Sequence, residues 1–225
     1  MKAAVVRFPG SNCDFDMYYA LQDFGVDVAF VDEKATSLAG FDAIFLPGGF
    51  SYGDYLRTGA VARFAPVMDA VRTAADDHKL VVGICNGFQI LTEAGLLPGQ
   101  LMMNEHPGFI CDEVPLEIVN QTSRFSKAYE TQTVTLPVAH GEGRYVADEA
   151  TLEELRDNNQ VIFKYRTNVN GSMDQIAGIS NQNGNVFGMM PHPERAVDAL
   201  LGNTDGQAFF KSLLTPIMTE ALVTE

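Results

Sequence analysis

Apolar positions along the chain follow two periods. Ala3–Val6 is a continuous apolar run that ends in Pro9-Gly10-Ser11-Asn12. Met17, Ala20, Leu21 and Phe24 then fall at i, i+3, i+4 and i+7. That spacing predicts one helix face, stopped by Gly25, with Asn12 as its expected N-cap. Val26–Val31 and Ala43–Leu46 read as strands, the second breaking at Pro47-Gly48-Gly49. Val67, Ala70, Val71 and Ala74 repeat the helical spacing, with Pro66 suited to a first turn. Leu80–Ile84 is another buried strand, and Gly87, Ile90, Leu91 and Ala94 form a helix face ended by Gly95. Runs apolar on both faces, alternating with amphipathic helices, predict βαβ units and a covered parallel sheet over residues 1–96.

Beyond residue 97 the texture changes. Phe109–Val119 and Thr131–Val138 read as strands with partial alternation, and Thr151–Asp157 as a short helix. Val161–Tyr165, Ile176–Ile179 and Asn185–Met190 read as short strands, the last two joined by the hairpin signal Asn183-Gly184. Phe210, Leu213, Leu214 and Ile217 place a closing helix on the core. The expected fold is a single α/β domain over 1–225. Its central sheet is mostly parallel and flanked by helices, with a more antiparallel second half.

Charge narrows the choice of partner. A net charge of −14 argues against nucleic-acid or anionic-membrane binding, which need Lys/Arg clusters. No apolar run approaches the ~18–20 residues of a membrane span, and Met1–Arg7 lacks the apolar core of a signal peptide. The expectation is a soluble, cytoplasmic chain. Three cysteines, Cys13, Cys85 and Cys111, do not make a disulfide framework, and no Cys/His spacing suggests zinc. The sequons at Asn120 and Asn170 read as chance. No Gly-x-x-x-x-Gly-Lys-Ser/Thr loop is present.

The chemistry gathers at three strand ends. Gly83-Ile84-Cys85-Asn86-Gly87 carries a buried strand into a helix, the thiol form of a nucleophile elbow. A helix N-terminus there lowers a thiol pKa and aims N–H groups at a developing oxyanion. The bland reading is a small cysteine packed at a strand end. Pro191-His192-Pro193-Glu194 supplies a base and its orienter, because a two-residue spacing in extended chain puts both side chains on one face. Read in isolation, it is an exposed loop. Pro47-Gly48-Gly49-Phe50 offers either a backbone N–H, from Gly49, to an oxyanion hole shared with Asn86, or a plain tight turn. Cys13, also before a helix, competes as nucleophile but has no nearby His in sequence, and Cys111 reads as packing. His140-Gly-Glu-Gly-Arg-Tyr145 is a second base site, a partner loop or an ordinary exposed loop.

Taken together, Pro47–Phe50, Gly83–Gln89 and Pro191–Glu194 resemble the class I, triad-type glutamine amidotransferases. The stretches Pro47–Arg57, His140–Tyr145 and Gly188–Arg195 narrow the likeness to the branch that serves de novo purine synthesis. The resemblance implies that Cys85 is the nucleophile, His192 the base and Glu194 its orienter. It further implies oxyanion donors at Gly49 and Asn86, and Gln89 at the substrate's α-amino-acid end. Asn86 stands where many amidotransferases carry an apolar residue, in agreement with the purine branch. Arg57 and His140–Tyr145 fall near the pocket mouth or a partner surface. The implied partners are a large PurL-type synthetase subunit and a small PurS-type subunit. No cofactor is implied in this chain; ATP and Mg would bind the synthetase, which turns formylglycinamide ribonucleotide into its amidine. Two rivals stay open: another cysteine hydrolase on the same scaffold, and an inactive regulatory subunit.

Overall fold

A computed structural model describes residues 1–221, with side chains in the closing helix described through Leu214. The elements run β1 (Lys2–Arg7), α1 (Asp14–Asp23), β2 (Asp27–Asp32), β3 (Ala43–Leu46), α2 (Val67–Asp76), β4 (Leu80–Ile84) and α3 (Asn86–Glu93). They continue as β5 (Gln100–Met102), β6 (Ile110–Ile118), β7 (Thr133–His140), β8 (Arg144–Val146), α4 (Glu149–Asp157), β9 (Val161–Tyr165), β10 (Ile176–Ser180), β11 (Val186–Met189) and α5 (Gln207–Ala221). Ile217 lies on α5, but its side chain falls outside the described residues.

Nine strands form one sheet in the order β2-β1-β3-β4-β11-β10-β9-β6-β7. The β2-β1-β3-β4-β11 half is parallel, and every pairing from β11 onward to β7 is antiparallel. Burial follows position in the sheet. Strands β3, β4 and β11 are buried at every position, as strands covered on both faces must be. The antiparallel β10, in the sheet's interior, is also buried throughout. The edge strand β7 instead alternates, with Val134, Leu136 and Val138 buried and the residues between them less so. Asn183-Gly184 turns β10 back to β11, with Gly184 at φ +67°.

Three expectations shift in detail. Cys13, not Asn12, sits at the N-cap of α1, and no side chain caps that helix. The Cys13 N–H is drawn to the Gly48 carbonyl at 3.3 Å, which turns Asn12 toward Gly49. Pro66 is the N-cap of α2 rather than part of its first turn. Helix α4 begins at Glu149, earlier than its apolar face, because Asp148 accepts from the Thr151 N–H at 2.8 Å. The small sheet of β5 and β8 gave no periodic signal, since three-residue strands are too short to show one.

Candidate active site

Register alone brings the three chemical segments together. Leu46 of β3 lies opposite Gly83 of β4, and Ile84 lies opposite Met189 of β11. The Gly48-Gly49 turn, Cys85 and His192 therefore leave the same end of three neighbouring parallel strands, where ligands of α/β sheets collect.

Cys85 is the N-cap of α3 at φ +51°, ψ −105°. A non-glycine residue in that region is strained and persists only where its surroundings hold it. Here the Cys85 N–H is fixed to the Met189 carbonyl at 2.8 Å. The flanking glycines are steric necessities. A Cβ on Gly83 would lie 2.6 Å from the Gly87 backbone, and one on Gly87 would strike the Leu46 carbonyl oxygen. Asn86 is the first residue of α3, so its N–H belongs to the set without an intrahelical acceptor.

His192 and Glu194 are 1% and 3% exposed, and the imidazole Nδ1 lies 2.6 Å from Glu194 Oε1. Nε2 is buried with no hydrogen-bond partner among the described residues. Burial disfavours charge on the ring, but Glu194 and the Cys85 thiol beside it outweigh that cost and raise the His192 pKa. The imidazole is packed so close to the turn that a Cβ on Gly48 would sit 2.7 Å from His192 Cε1. The ring thus lies directly against the Gly48 turn.

The far wall comes from the antiparallel half. The end of β7 curls over the strand tips: Pro137 accepts the His192 N–H at 2.8 Å, and the Ala139 carbonyl faces Cys85 Sγ at 3.6 Å. A cavity of about 200 Å3 results, lined by Gly49, Asp54, Cys85, Gln89, His140 and Glu142 among others. Gln89 donates to the Glu142 carbonyl at 2.6 Å and accepts from Asn86 Nδ2 at 3.0 Å. Asn86 Oδ1 also takes the Ser51 N–H at 3.1 Å, so its side chain ties the 48–51 turn to α3. Thr58 donates through its hydroxyl to Glu142 Oε2 at 2.9 Å. Burial, reinforced by Glu142, pushes the Asp54 carboxyl up to about 6.

All six predicted site residues thus meet at one place. Sequence reading assigned no role to Thr58, to Asp54, although it lies within the Pro47–Arg57 stretch, or to Asn104, whose Oδ1 lies 3.1 Å from His140 Nδ1. It also missed the clamp formed by the Asn86 side chain. Arg57 is bidentate to Glu93 at 2.7 and 2.8 Å and does not enter the cavity lining. Cys13 is a poor competitor: burial pushes its thiol up to about 12 although Arg195 Nη2 lies 3.0 Å from the sulfur. Cys111 lies exposed on β6. Asn170 is 1% exposed, with its amide bound to Gly143, which leaves no room for a glycan. Among the described residues, no three His, Cys, Asp or Glu side chains converge on a metal site, and no helix is long and apolar enough to cross a membrane.

A strained thiol at a helix start, a carboxylate-bound imidazole and a glycine turn at adjacent strand ends are the equipment of an amide-splitting site. Residues 1–212 match the family model of the CobB/CobQ-like glutamine amidotransferase domain, and the chain belongs to that family. The phosphoribosylformylglycinamidine synthase subunit PurQ of Lacticaseibacillus casei (strain BL23) is 56% identical over 216 residues, covering 95% of each chain. A chain in the structure of PurLQS from Thermotoga maritima superposes with a TM-score of 0.90 at 46% identity, covering 96% of this chain and 98% of that one. The Trypanosoma brucei CTPS glutaminase domain with bound acivicin shares the fold, with a TM-score of 0.63 at 16% identity over 95% of this chain and 92% of that one.

Proposed function

We propose that this chain is the glutaminase subunit of a cytoplasmic phosphoribosylformylglycinamidine synthase. It would release ammonia from glutamine for a PurL-type synthetase assembled with a small PurS-type subunit. The 56% identity to a PurQ subunit and the likeness to a chain of a PurLQS complex support that assignment. ATP and Mg would be held by the synthetase, and the present chain needs no cofactor for amide hydrolysis.

The carrying observation is the strained Cys85 on the wall of a cavity beside the His192–Glu194 pair. His192 takes the thiol proton, and the sulfur attacks the side-chain carbonyl of glutamine. Negative charge then develops on the carbonyl oxygen, against the N–H groups of Gly49 and Asn86. One such donor contributes about 3 kcal/mol, and a positioned acid–base group on the order of 10²–10⁴ in rate. His192 returns the proton to the departing nitrogen while Glu194 holds the ring. Water, activated by the same ring, clears the γ-glutamyl thioester. Gln89 acts by holding the Glu142 segment as a wall. The Asp54 and Glu142 carboxylates give the mouth the sign that suits an α-ammonium group.

The test is a glutamine-analogue chloroketone followed by intact mass and peptide mapping. One adduct on Cys85, prevented by glutamine, is expected. An adduct on Cys13 overturns the assignment.

A further inference from the structure

One buried base lines the cavity without a part in the steps above. His140, at the end of β7, is 2% exposed, and its Nε2 has no hydrogen-bond partner among the described residues. The hydrogen-bond network fixes its tautomer. Asn104 donates through Nδ2 to the carbonyls of Gly108 and His140, both at 3.0 Å. Its Oδ1 accepts the Gly143 N–H at 3.0 Å. The His140 Nδ1, 3.1 Å from that same oxygen, must therefore be the protonated nitrogen. Nε2 is left as a bare lone pair in a water-poor site, a costly arrangement unless something arrives to donate to it.

We propose that His140 Nε2 accepts an N–H of the glutamine carboxamide and then of the released ammonia, holding it as the neutral molecule for transfer. The inference rests on the glutaminase reading above. Cys85 sulfur forms the C–S bond, the C–N pair departs with nitrogen, and the third hydrogen of ammonia comes from His192. His140 gives up no proton because Nε2 carries none. Nor can it readily hold one, since burial first and then the nearby His192 push its pKa down to about 4. A carboxylate would favour ammonium at this position, and ammonium cannot serve as a nucleophile in the partner. A neutral acceptor serves where a charged one would not.

The experiment uses the assembled complex with its synthetase and small subunit. It compares amidine formed per glutamate released. His140→Asn keeps a donor toward Asn104 but removes the Nε2 acceptor. Its amidine-per-glutamate ratio is expected to fall by about tenfold, the effect of one hydrogen bond lost at a buried site. His140→Gln reaches further and restores an oxygen near the Nε2 position, so its ratio should recover most of that loss. A role confined to packing would lower both rates together and leave the ratio unchanged, which overturns the proposal, as do equal ratios in the two variants. If the parent complex makes no glutamate-linked amidine, the glutaminase reading itself fails.

Discussion

Two cysteines sit in nearly equivalent places in this fold, and only one has the surroundings of a nucleophile. Both cap a helix that follows a parallel strand, Cys13 before α1 and Cys85 before α3. Cys13 has an ordinary negative φ of −99°, is buried against the Gly48 turn, and has its thiol pushed up to about 12. Cys85 is bent to φ +51°, opens on the cavity, and has an imidazole within electrostatic reach. A helix start is therefore not enough to make a thiol reactive. At Cys85 the strained backbone places the residue on the cavity wall, and a base waits at the next strand end.

The sharpest way to break this comparison is Cys85→Ala in the assembled complex. Glutamine-dependent synthesis should fall by about 10⁴-fold or more, while synthesis from added ammonium salts persists. Survival of the first, or loss of both, would contradict the division of labour. Glu194→Gln comes next, because it keeps the shape but weakens the hold on the His192 tautomer. A loss of roughly 10²–10⁴ in kcat with KM little changed is expected in steady-state glutaminase assays.

Gly87→Ala probes the elbow without touching chemistry. The added methyl meets the Leu46 carbonyl oxygen, so stability should fall by about 3 kcal/mol in urea unfolding. The pH profile of stability tests the cavity wall. His140 ordinarily titrates near 6.5, but the folded protein depresses it to about 4. Between those values the unfolded chain takes up a proton that the folded one refuses, so stability falls as pH drops from 6.5 to 4. The loss from this residue is on the order of 3 kcal/mol. Melting curves of the parent and His140→Asn across that window should diverge by a shallower acid slope in the variant. The smallest effect is expected for Cys13→Ala, with glutaminase kcat/KM within about threefold of the parent.

The parallel half was legible because its signals are local. Four residues at helical spacing, a buried β4 and glycines at 83 and 87 state the elbow outright. The pairing of His192 with Glu194 was legible from its two-residue spacing, although Pro193–Arg195 forms a 3-10 turn rather than the extended chain expected, and it is that turn that brings Glu194 back to the imidazole. Asn104, Asp54 and Thr58 were not, since each acquires its role only through contacts distant in sequence, such as Thr58 with Glu142 or Asn104 with His140. Asn86 shows both sides. Its backbone place at the helix start could be read from the motif, whereas its grip on Ser51 and Gln89 required the folded chain.

The curl of β7 over the strand tips has a bearing on how the protein comes into being. The sulfur is made early in synthesis, yet the Ala139 carbonyl that faces it, the imidazole that takes its proton and the Pro137 carbonyl that fixes that imidazole's backbone come later in the chain. Such distant pairings close late in folding. A chain that stops short of residue 192 therefore holds the Cys85 thiol without the imidazole that would take its proton.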